Sequence, residues 1–180
     1  VAVASGVEAA LIHLGKKEVT NVIAQGGDGS TADIGLQALS GMLERGHDIL
    51  YVCYDNEAYM NTGVQRSGLT PFDTNTTTSP IGSQSTGNIR PKKPMPEIAL
   101  AHGIPYVATC SVGFTPDLQR KVKKALSIKG PKYIQIHVPC PLGWRHETNQ
   151  TLAVAKLAVE CGLYPLIEYE NGVLIAQKKI

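Results

Sequence analysis

The chain has few charged side chains, a small net charge and no long apolar run. Charged residues make up 18% of its 180 residues and aromatic residues 6%. The net charge of +2 leaves no basic stripe for nucleic acid or an anionic membrane, so we expect neither partner. No apolar run approaches the roughly 18 residues that span a bilayer, and no signal peptide is visible.

Cysteine is scarce as well. The four cysteines stand far apart, at positions 53, 110, 140 and 161, and none forms a Cys-x-x-Cys pair. Because this spacing does not suit a disulfide framework, we expect a reducing, cytoplasmic compartment. Cys53, Cys110 and Cys161 are expected to be structural. The chain starts at Val1 without Met, inside what reads as a helix, so we expect that the natural protein has a preceding segment.

Helix and strand patterns alternate along the chain. Helices are predicted at Val1–Leu14, from Ser30 or Thr31 to Arg45, at Glu97–His102, Asp117–Ile128 and Thr151–Cys161. Strands are predicted at Asn21–Ala24, Asp48–Tyr54, Tyr106–Thr109, Lys132–Val138, Leu163–Tyr169 and Val173–Gln177. This order indicates a single α/β domain over residues 1–180, with a mostly parallel sheet flanked by helices.

Several side chains carry predictions of burial. The second helix is expected to bury a stripe made of Ile34, Leu36, Leu39, Met42 and Leu43. His137 is interpreted as a core histidine with satisfied hydrogen bonds. Lysines 92, 93, 121, 123 and 124 are expected on solvated faces.

The periodic pattern is lost between residues 55 and 94, which are rich in glycine, proline and threonine. Loops of this length within a compact domain are usually functional or disordered. This one begins with a dense run of polar residues, so we expect an ordered active-site loop.

Two polar segments directly follow the first two predicted strands. One is Gly26-Gly27-Asp28-Gly29-Ser30, and the other begins Tyr54-Asp55-Asn56-Glu57-Ala58. The carboxyl ends of parallel strands meet at one edge of a sheet. Asp28, Asn56 and the backbone carbonyl of Ala58 can there offer oxygen ligands to one Mg²⁺, while the glycines let backbone amides approach a phosphate. Taken alone, Gly-Gly-Asp-Gly is equally consistent with a simple tight turn.

Together the two segments resemble the Mg²⁺–diphosphate motif of thiamine-diphosphate enzymes. Tyr54–Ser67 is similar to the β subunit of the 2-oxoacid:ferredoxin oxidoreductases, of the pyruvate type. The resemblance covers nearly the whole chain, and continues through Gly26–Leu43, Thr70-Pro71, Thr76–Pro80, His102–Thr109 and Cys140–Arg145. It implies the thiamine-diphosphate-binding fold.

The resemblance also implies a role for each matching residue. Asp28, Asn56 and the Ala58 carbonyl would hold Mg²⁺ on the diphosphate of thiamine diphosphate. The cofactor would further be lined by Gly27, Gly29, Ser30, Thr31, Tyr59, Met60 and Asn61. Asn61 would face the substrate and the reactive carbon of the cofactor, with Thr62 beside it, and these two residues are the candidate catalytic residues.

Cys140 would be one ligand of a [4Fe–4S] cluster, whose other three cysteines lie upstream of Val1 in this family. A lone cysteine is often just a small buried hydrophobe. The setting Pro139-Cys140-Pro141, directly after a predicted strand, favours a rigid loop at the ligand-binding edge instead.

The implied activity is the thiamine-diphosphate-dependent oxidative decarboxylation of a 2-oxoacid, with electrons passed through [4Fe–4S] clusters to ferredoxin. Other subunits would complete the active site, so the chain alone is expected to be inactive. Pyruvate with CoA is one candidate substrate pair. Because Phe72-Asp73-Thr74-Asn75 is more polar than the small residues of pyruvate-type members, oxalate without CoA is a second hypothesis.

Two other classes remain open from the sequence. A non-redox thiamine-diphosphate decarboxylase or synthase would share Asp28 and Asn56 but would not need Cys140. A binding module would use the Asp-Gly loop only as a structural turn.

Overall fold

The computed structural model describes residues 1–177, which form a six-stranded sheet, a small hairpin and surrounding helices. The strands are β1 (Val22–Gly27), β2 (Ile49–Asp55), β3 (Ile81–Gly82), β4 (Ser85–Thr86), β5 (Tyr106–Ser111), β6 (Lys132–His137), β7 (Ile167–Glu170) and β8 (Val173–Gln177). The α-helices are α1 (Ala2–His13), α2 (Leu36–Glu44), α3 (Met95–Leu100), α4 (Thr115–Ser127), α5 (Pro141–Trp144) and α6 (Thr151–Glu160).

The sheet has the strand order β1-β2-β6-β5-β7-β8. The strands β1, β2, β6 and β5 run parallel to one another, and β7 and β8 add an antiparallel edge. The predicted α/β class with a mostly parallel sheet is therefore confirmed. Sequence-distant strands β2 and β6 are neighbours, and Asp55 pairs with His137 at their carboxyl ends.

The strand β2 explains how the sheet acquires two cores. Successive side chains of a strand point to opposite faces. Ile49, Tyr51 and Cys53 belong to the core that includes side chains of α2 and α3, whereas Leu50 and Val52 belong to the core that includes Ala125 of α4. Burial on both faces is expected where helices cover both sides of a parallel sheet.

The predicted element boundaries hold within a few residues, with informative exceptions. The strand β1 runs on to Gly27, so Gly26 and Gly27 pair with β2 instead of belonging to the loop. The strand predicted at Leu163–Tyr169 is shorter in the structure, where β7 covers only Ile167–Glu170. The hairpin β3–β4 and the short helix α5 were not predicted, because two- and four-residue elements leave no periodic signal.

The prediction that Ile34 joins a buried stripe is wrong, since its side chain is 87% exposed. Instead of one continuous helix, Ser30–Ile34 forms a π-helical turn, and α2 begins only after Gly35. A π turn holds more residues per turn than an α-helix, which changes the face on which each residue lies. A Cβ atom at Gly35 would lie 2.1 Å from the Ser30 carbonyl oxygen, so this turn requires glycine there.

The prediction that Lys121 lies on a solvated face is wrong. Lys121 is only 2% exposed, and its Nζ donates to the Thr109 carbonyl at 2.9 Å and pairs with Asp117 at 2.7 Å. Of the three cysteines expected to be structural, Cys53 and Cys110 are buried and Cys161 is exposed. Within residues 1–177, no helix combines the length and apolar character needed to cross a bilayer.

Candidate functional site

Three polar segments leave adjacent parallel strands at one edge of the sheet. Asp28 follows β1, Asn56 follows β2, and Cys140 lies three residues beyond the end of β6. The register aligns Gly27 with Tyr54 and Asp55 with His137, so the strand ends lie side by side. The sequence placed two of these segments together correctly, because neighbouring parallel strands must present their carboxyl ends at the same edge.

Asp28, Asn56 and Ala58 converge on one point. The carboxamide of Asn56 lies between Asp28 Oδ1, at 3.0 Å, and the Ala58 carbonyl oxygen, at 2.7 Å. With its nitrogen turned toward them, the amide donates a hydrogen bond to each oxygen. When the amide is rotated by 180°, its oxygen Oδ1 takes the place of the nitrogen. The oxygens of Asn56, Asp28 and Ala58 can then face one cation.

This donor set differs from a cluster of acidic side chains. No group of three His, Cys, Asp or Glu side chains is arranged to hold a metal in the described part of the chain. The three oxygens near Asn56 come instead from one carboxylate, one amide and one backbone carbonyl. Hard oxygen donors of this mixture suit Mg²⁺ or Ca²⁺ and not a soft metal.

The carboxylate of Asp28 is almost completely buried, with 3% exposure. Burial raises the pKa of Asp28 to about 7, the Ser67 hydroxyl lowers it in opposition, and the nearby Asp55 charge raises it further. Ser67 Oγ donates a hydrogen bond to Asp28 Oδ2, which leaves Oδ1 facing Asn56. A buried acid with such a raised pKa marks a place where a positive charge would be favourable.

The residues of the turn after β1, from Gly27 to Thr31, differ in their exposure to solvent. Gly27 is exposed, and a Cβ atom there would meet nothing within 4 Å, so its backbone faces open space. A Cβ at Gly29 would lie 2.2 Å from the ring of Tyr59, so glycine allows this ring to pack on the backbone. Ser30 is exposed, whereas the Thr31 side chain is fully buried.

The hydroxyls of Ser30 and Thr31 both donate to the Gly27 carbonyl, at 2.9 and 2.7 Å. Thr31 also shares a hydrogen bond of 2.9 Å with the Tyr51 hydroxyl. Thr31 therefore supports the turn from inside, while Gly27 and Ser30 have the exposure that contact with a ligand requires.

Residues 59 to 65 form a tight loop held by backbone hydrogen bonds between Tyr59 and Gln65, at 2.9 and 3.2 Å. Asn61 and Thr62 lie exposed at its tip. The Thr62 hydroxyl donates to Gln65 Oε1, and the Tyr59 hydroxyl donates to Asp33 at 3.0 Å. The candidate catalytic residues are thus presented to the outside by an ordered loop.

Cys140 is half-buried at the start of α5, and its Sγ accepts a hydrogen bond from the Gly143 amide at 3.4 Å. The indole nitrogen of Trp144 donates to the Asn56 carbonyl at 2.9 Å, which connects α5 to the turn after β2. Met60 packs against Gly143, because a Cβ there would lie 2.2 Å from its sulfur. Cys140 therefore lies next to the segment that carries Asn61.

Lys92 is a site residue that sequence reasoning missed. Its Nζ lies 3.0 Å from Asp55 Oδ2 and 2.8 Å from Glu57 Oε1, so it is an ion-paired residue and not the solvated lysine that was predicted. Asp55 is fully buried and also accepts a hydrogen bond from Gln135 at 2.7 Å. Lys92 thereby joins the end of the long loop to both residues that flank Asn56.

Electrostatics around Lys92 favour the ion pairs. Burial raises the pKa of Asp55, although Lys92 opposes that rise. Burial would also raise the pKa of Glu57, but His137 and Lys92 outweigh it and lower the pKa overall. Glu57 has a φ of 73°, which is unusual for a residue with a side chain, so these contacts hold a strained backbone next to Asn56.

The long loop is also ordered by the buried side chain of Asn88. Its Nδ2 donates to the carbonyls of Thr70, Pro71 and Arg90 at 2.9, 2.8 and 2.8 Å. Its Oδ1 accepts from Arg66 Nε at 2.8 Å. One amide therefore connects four points of the loop, in agreement with an ordered loop.

His137 departs from the prediction of a satisfied core histidine. It is buried and stacks on Tyr164 with ring centroids 4.6 Å apart. Its Nε2 lies 3.8 Å from Glu57, and its Nδ1 has no hydrogen-bond partner among the described residues. His137 and Glu57 line a cavity of about 290 Å³, together with Phe72 and Thr74 from the polar stretch.

Comparison with known proteins agrees with this geometry. Residues 1–136 match the family "Thiamine pyrophosphate enzyme, C-terminal TPP binding domain". The chain is 63% identical to the pyruvate synthase subunit PorB of Methanosarcina barkeri, over 99% of this chain and 60% of that protein. It is 55% identical to the ketoisovalerate oxidoreductase subunit VorB of Pyrococcus abyssi, over 95% of this chain and 56% of that one.

A solved structure is similar as well. The 2-oxoglutarate:ferredoxin oxidoreductase from Magnetococcus marinus, solved with 2-oxoglutarate, coenzyme A and succinyl-CoA bound, superposes with a TM-score of 0.69 at 25% identity. The match covers 84% of this chain and 47% of that one. The chain spans about three fifths of the length of the curated relatives cited above. The chain belongs to the thiamine pyrophosphate enzymes, as a C-terminal TPP-binding domain of the kind found in 2-oxoacid:ferredoxin oxidoreductase β subunits.

Proposed function

We propose that this chain is the diphosphate-binding part of a 2-oxoacid:ferredoxin oxidoreductase β subunit, and that it holds thiamine diphosphate through Mg²⁺. The observation that carries the proposal is the convergence of Asp28, Asn56 and the Ala58 carbonyl. Neighbouring oxygens around Mg²⁺ are about 3.0 Å apart when the metal–oxygen distance is about 2.1 Å. The separations of 3.0 and 2.7 Å in the apposed groups fit that spacing.

The diphosphate would lie beside Gly27, whose backbone is open, and reach the exposed Ser30. The backbone amides of a first helical turn have no acceptor within the helix, so they favour an anionic group at this position. When bound, thiamine diphosphate supplies an electron sink for cleavage next to a 2-oxo group. The chain itself would hold the cofactor and present Asn61 and Thr62 toward the substrate.

The proposed substrate is pyruvate, with CoA as acyl acceptor, because the named relatives include pyruvate synthase subunits. Partner subunits would complete the site, and ferredoxin would take the electrons. Oxalate remains a prediction that rests on the polar stretch 72–75, and the non-redox decarboxylase or synthase remains the alternative function.

One assay on the complete complex separates these options. The purified full-length subunit, co-expressed with its partner subunits, is supplied with each 2-oxoacid, Mg²⁺ and thiamine diphosphate. We expect ferredoxin reduction with pyruvate that requires CoA. Reduction by oxalate without CoA would reverse the substrate proposal, and carbon dioxide release without ferredoxin reduction would support the non-redox alternative.

We propose that Cys140 ligates a [4Fe–4S] cluster with cysteines that lie outside this chain. The half-buried thiol next to the Met60 segment supports this role. We expect Cys140→Ser to remove most of the iron of that cluster and most of the ferredoxin-dependent activity, since cluster irons are held by thiolates. Iron analysis and the visible absorption of the complex measure this loss.

Cys161→Ser is the matched control, because that cysteine is exposed at the end of α6. It should retain both the iron and the activity. Full iron content in the Cys140→Ser complex would show that the thiolate is not a ligand.

Magnesium binding should weaken as the pH falls. Burial raises the pKa of Asp28 to about 7, so below that pH a proton competes with the metal for the carboxylate. We expect the half-saturating Mg²⁺ concentration to rise about tenfold for each pH unit below 7, as expected for competition with one proton. Calorimetric titration of the complex with Mg²⁺ and thiamine diphosphate between pH 5.5 and 8.5 (about three pH units) measures this slope.

The cofactor's own phosphates also take up protons near pH 6. Asp28→Asn keeps that contribution and lacks the carboxylate, so any slope in this variant belongs to the cofactor. Identical slopes in the two proteins would contradict the assignment of Asp28 as the competing group.

A further inference from the structure

One short segment connects the two halves of the proposed metal site. Ser67–Thr70 leaves the loop after Asn61 and passes underneath Asp28, and all four of its residues are buried. We call this segment the bridging turn. Its polar groups bond to both of the strand ends that provide the metal ligands.

The first connection is through Ser67. Its hydroxyl donates to Asp28 Oδ2, and its Oγ accepts a hydrogen bond from the Leu69 amide at 3.1 Å. The one proton of the hydroxyl is thus directed at Asp28, and its oxygen receives the Leu69 amide. As a result, Oδ2 of Asp28 is occupied and Oδ1 is the oxygen that faces Asn56.

The second connection is through Thr70. Its Oγ1 accepts from the Ser67 amide at 2.9 Å and donates to the Glu57 carbonyl at 2.6 Å. Glu57 lies between Asn56 and Ala58, the two other metal-ligand candidates, so Thr70 holds that turn from below. The bridging turn thus binds Asp28 at one end and the turn of Asn56 at the other.

A third contact fixes the bridging turn against the π turn Ser30–Ile34. The Gly68 amide donates to Asp33 Oδ2 at 2.9 Å, and the same carboxylate accepts from the Tyr59 hydroxyl. A Cβ atom at Gly68 would lie 2.5 Å from Asp33 Oδ1, so glycine lets this carboxylate approach closely without a shift.

We infer that Ser67 and Thr70 are positioning residues that set the separation between Asp28 and the Asn56–Ala58 turn, and thereby the Mg²⁺ affinity of the site. This inference rests on the proposed function. Beyond Gly27 and Tyr54 the two strands are no longer paired, so backbone pairing does not fix that separation. The bridging turn supplies the missing constraint through two side-chain hydroxyls. Groups that orient a metal ligand typically change metal affinity 10- to 100-fold when they are removed.

The test is the Mg²⁺ dependence of thiamine-diphosphate binding to the full-length complex, with Ser67→Ala as the first variant. We expect the half-saturating Mg²⁺ concentration to rise at least about tenfold. At saturating Mg²⁺ we expect thiamine-diphosphate affinity and turnover to return to within about twofold of the wild type, because the ligands themselves are intact. General damage to the fold would lower both at any Mg²⁺ concentration.

Thr70→Val is the second variant, since it keeps the side-chain shape and removes only the hydroxyl. It should also raise the half-saturating Mg²⁺ concentration, which keeps the test valid if Ser67→Ala does not fold. Ser127→Ala is the control, because that hydroxyl is exposed on α4 and donates only to the local Lys124 carbonyl. It should match the wild type.

Each remaining outcome overturns the inference. Unchanged Mg²⁺ dependence in both variants would show that the bridging turn does not set metal affinity. A loss that saturating Mg²⁺ does not restore would show a merely structural role. If the wild-type complex binds no thiamine diphosphate in the presence of Mg²⁺, the proposed function itself fails, and the inference fails with it.

Discussion

Asp28→Asn should weaken binding of the cofactor strongly and, at the same time, make the cofactor-free protein more stable. The substitution keeps the size of the side chain and removes its charge. A neutral amide is a much weaker ligand than a carboxylate for Mg²⁺, so we expect thiamine-diphosphate affinity in the presence of Mg²⁺ to fall at least about 100-fold. Turnover by the complex should fall with it.

The gain in stability follows from linkage between protonation and folding. Burial raises the pKa of Asp28 from 3.8 to about 7. The ionised carboxylate therefore opposes folding at pH 8, and this penalty disappears as the pH falls toward 4. Since one pKa unit corresponds to about 1.36 kcal/mol, we expect Asp28→Asn to gain about 2–4 kcal/mol at pH 8. At pH 5 the gain should be much smaller.

Calorimetric titration with Mg²⁺ and thiamine diphosphate measures the first effect, and thermal unfolding at pH 5 and 8 measures the second. Asp73→Asn is a matched control for cofactor binding, because it makes the same change on an exposed carboxylate of the long loop. Cofactor binding by Asp28→Asn at wild-type affinity would exclude Asp28 as a metal ligand.

The sequence allowed the metal-site candidates to be predicted for a simple reason. Asp28 and Asn56 each follow an apolar run within a few residues, and a parallel sheet brings such positions to one edge. Their apposition is thus a consequence of local patterns and of one rule about sheets. The composition of the long loop was enough to recognise it as a loop, but it did not reveal the contacts that order it.

Lys92 was misread because its partners are distant in sequence. Its contacts to Asp55 and Glu57 span 37 and 35 residues, and no local pattern records them. A signal was nevertheless present. Three acidic residues, at positions 28, 55 and 57, were expected near one sheet edge, and so many buried carboxylates require a compensating cation.

Ile34 was misread for a different physical reason. A helical stripe assumes a constant number of residues per turn, and the π turn at Ser30–Ile34 breaks that assumption. The π turn exists where Gly35 removes a clash with the Ser30 carbonyl. Irregular helix starts of this kind are common at functional sites, and this one begins two residues after Asp28.

Lys92→Met should destabilise the protein strongly, and it should also weaken cofactor binding. The substitution keeps the length of the side chain but leaves the buried carboxylates of Asp55 and Glu57 without their cation. Removing one partner of a buried ion pair typically costs about 3–5 kcal/mol. For a domain of this size we expect the melting temperature to fall by about 10 °C at pH 8.

The pH dependence identifies the cause of the loss. Without Lys92 the two carboxyls oppose folding only when ionised, so the difference from the wild type should shrink as the pH falls from 8 toward 5. Lys156→Met is the matched control, since that lysine and its ion-pair partner Glu160, at 3.6 Å, are both exposed on α6. Exposed pairs contribute at most about 1 kcal/mol, so its melting temperature should change little. Equal melting temperatures for Lys92→Met and the wild type would mean that Lys92 does not hold the turn around Asn56.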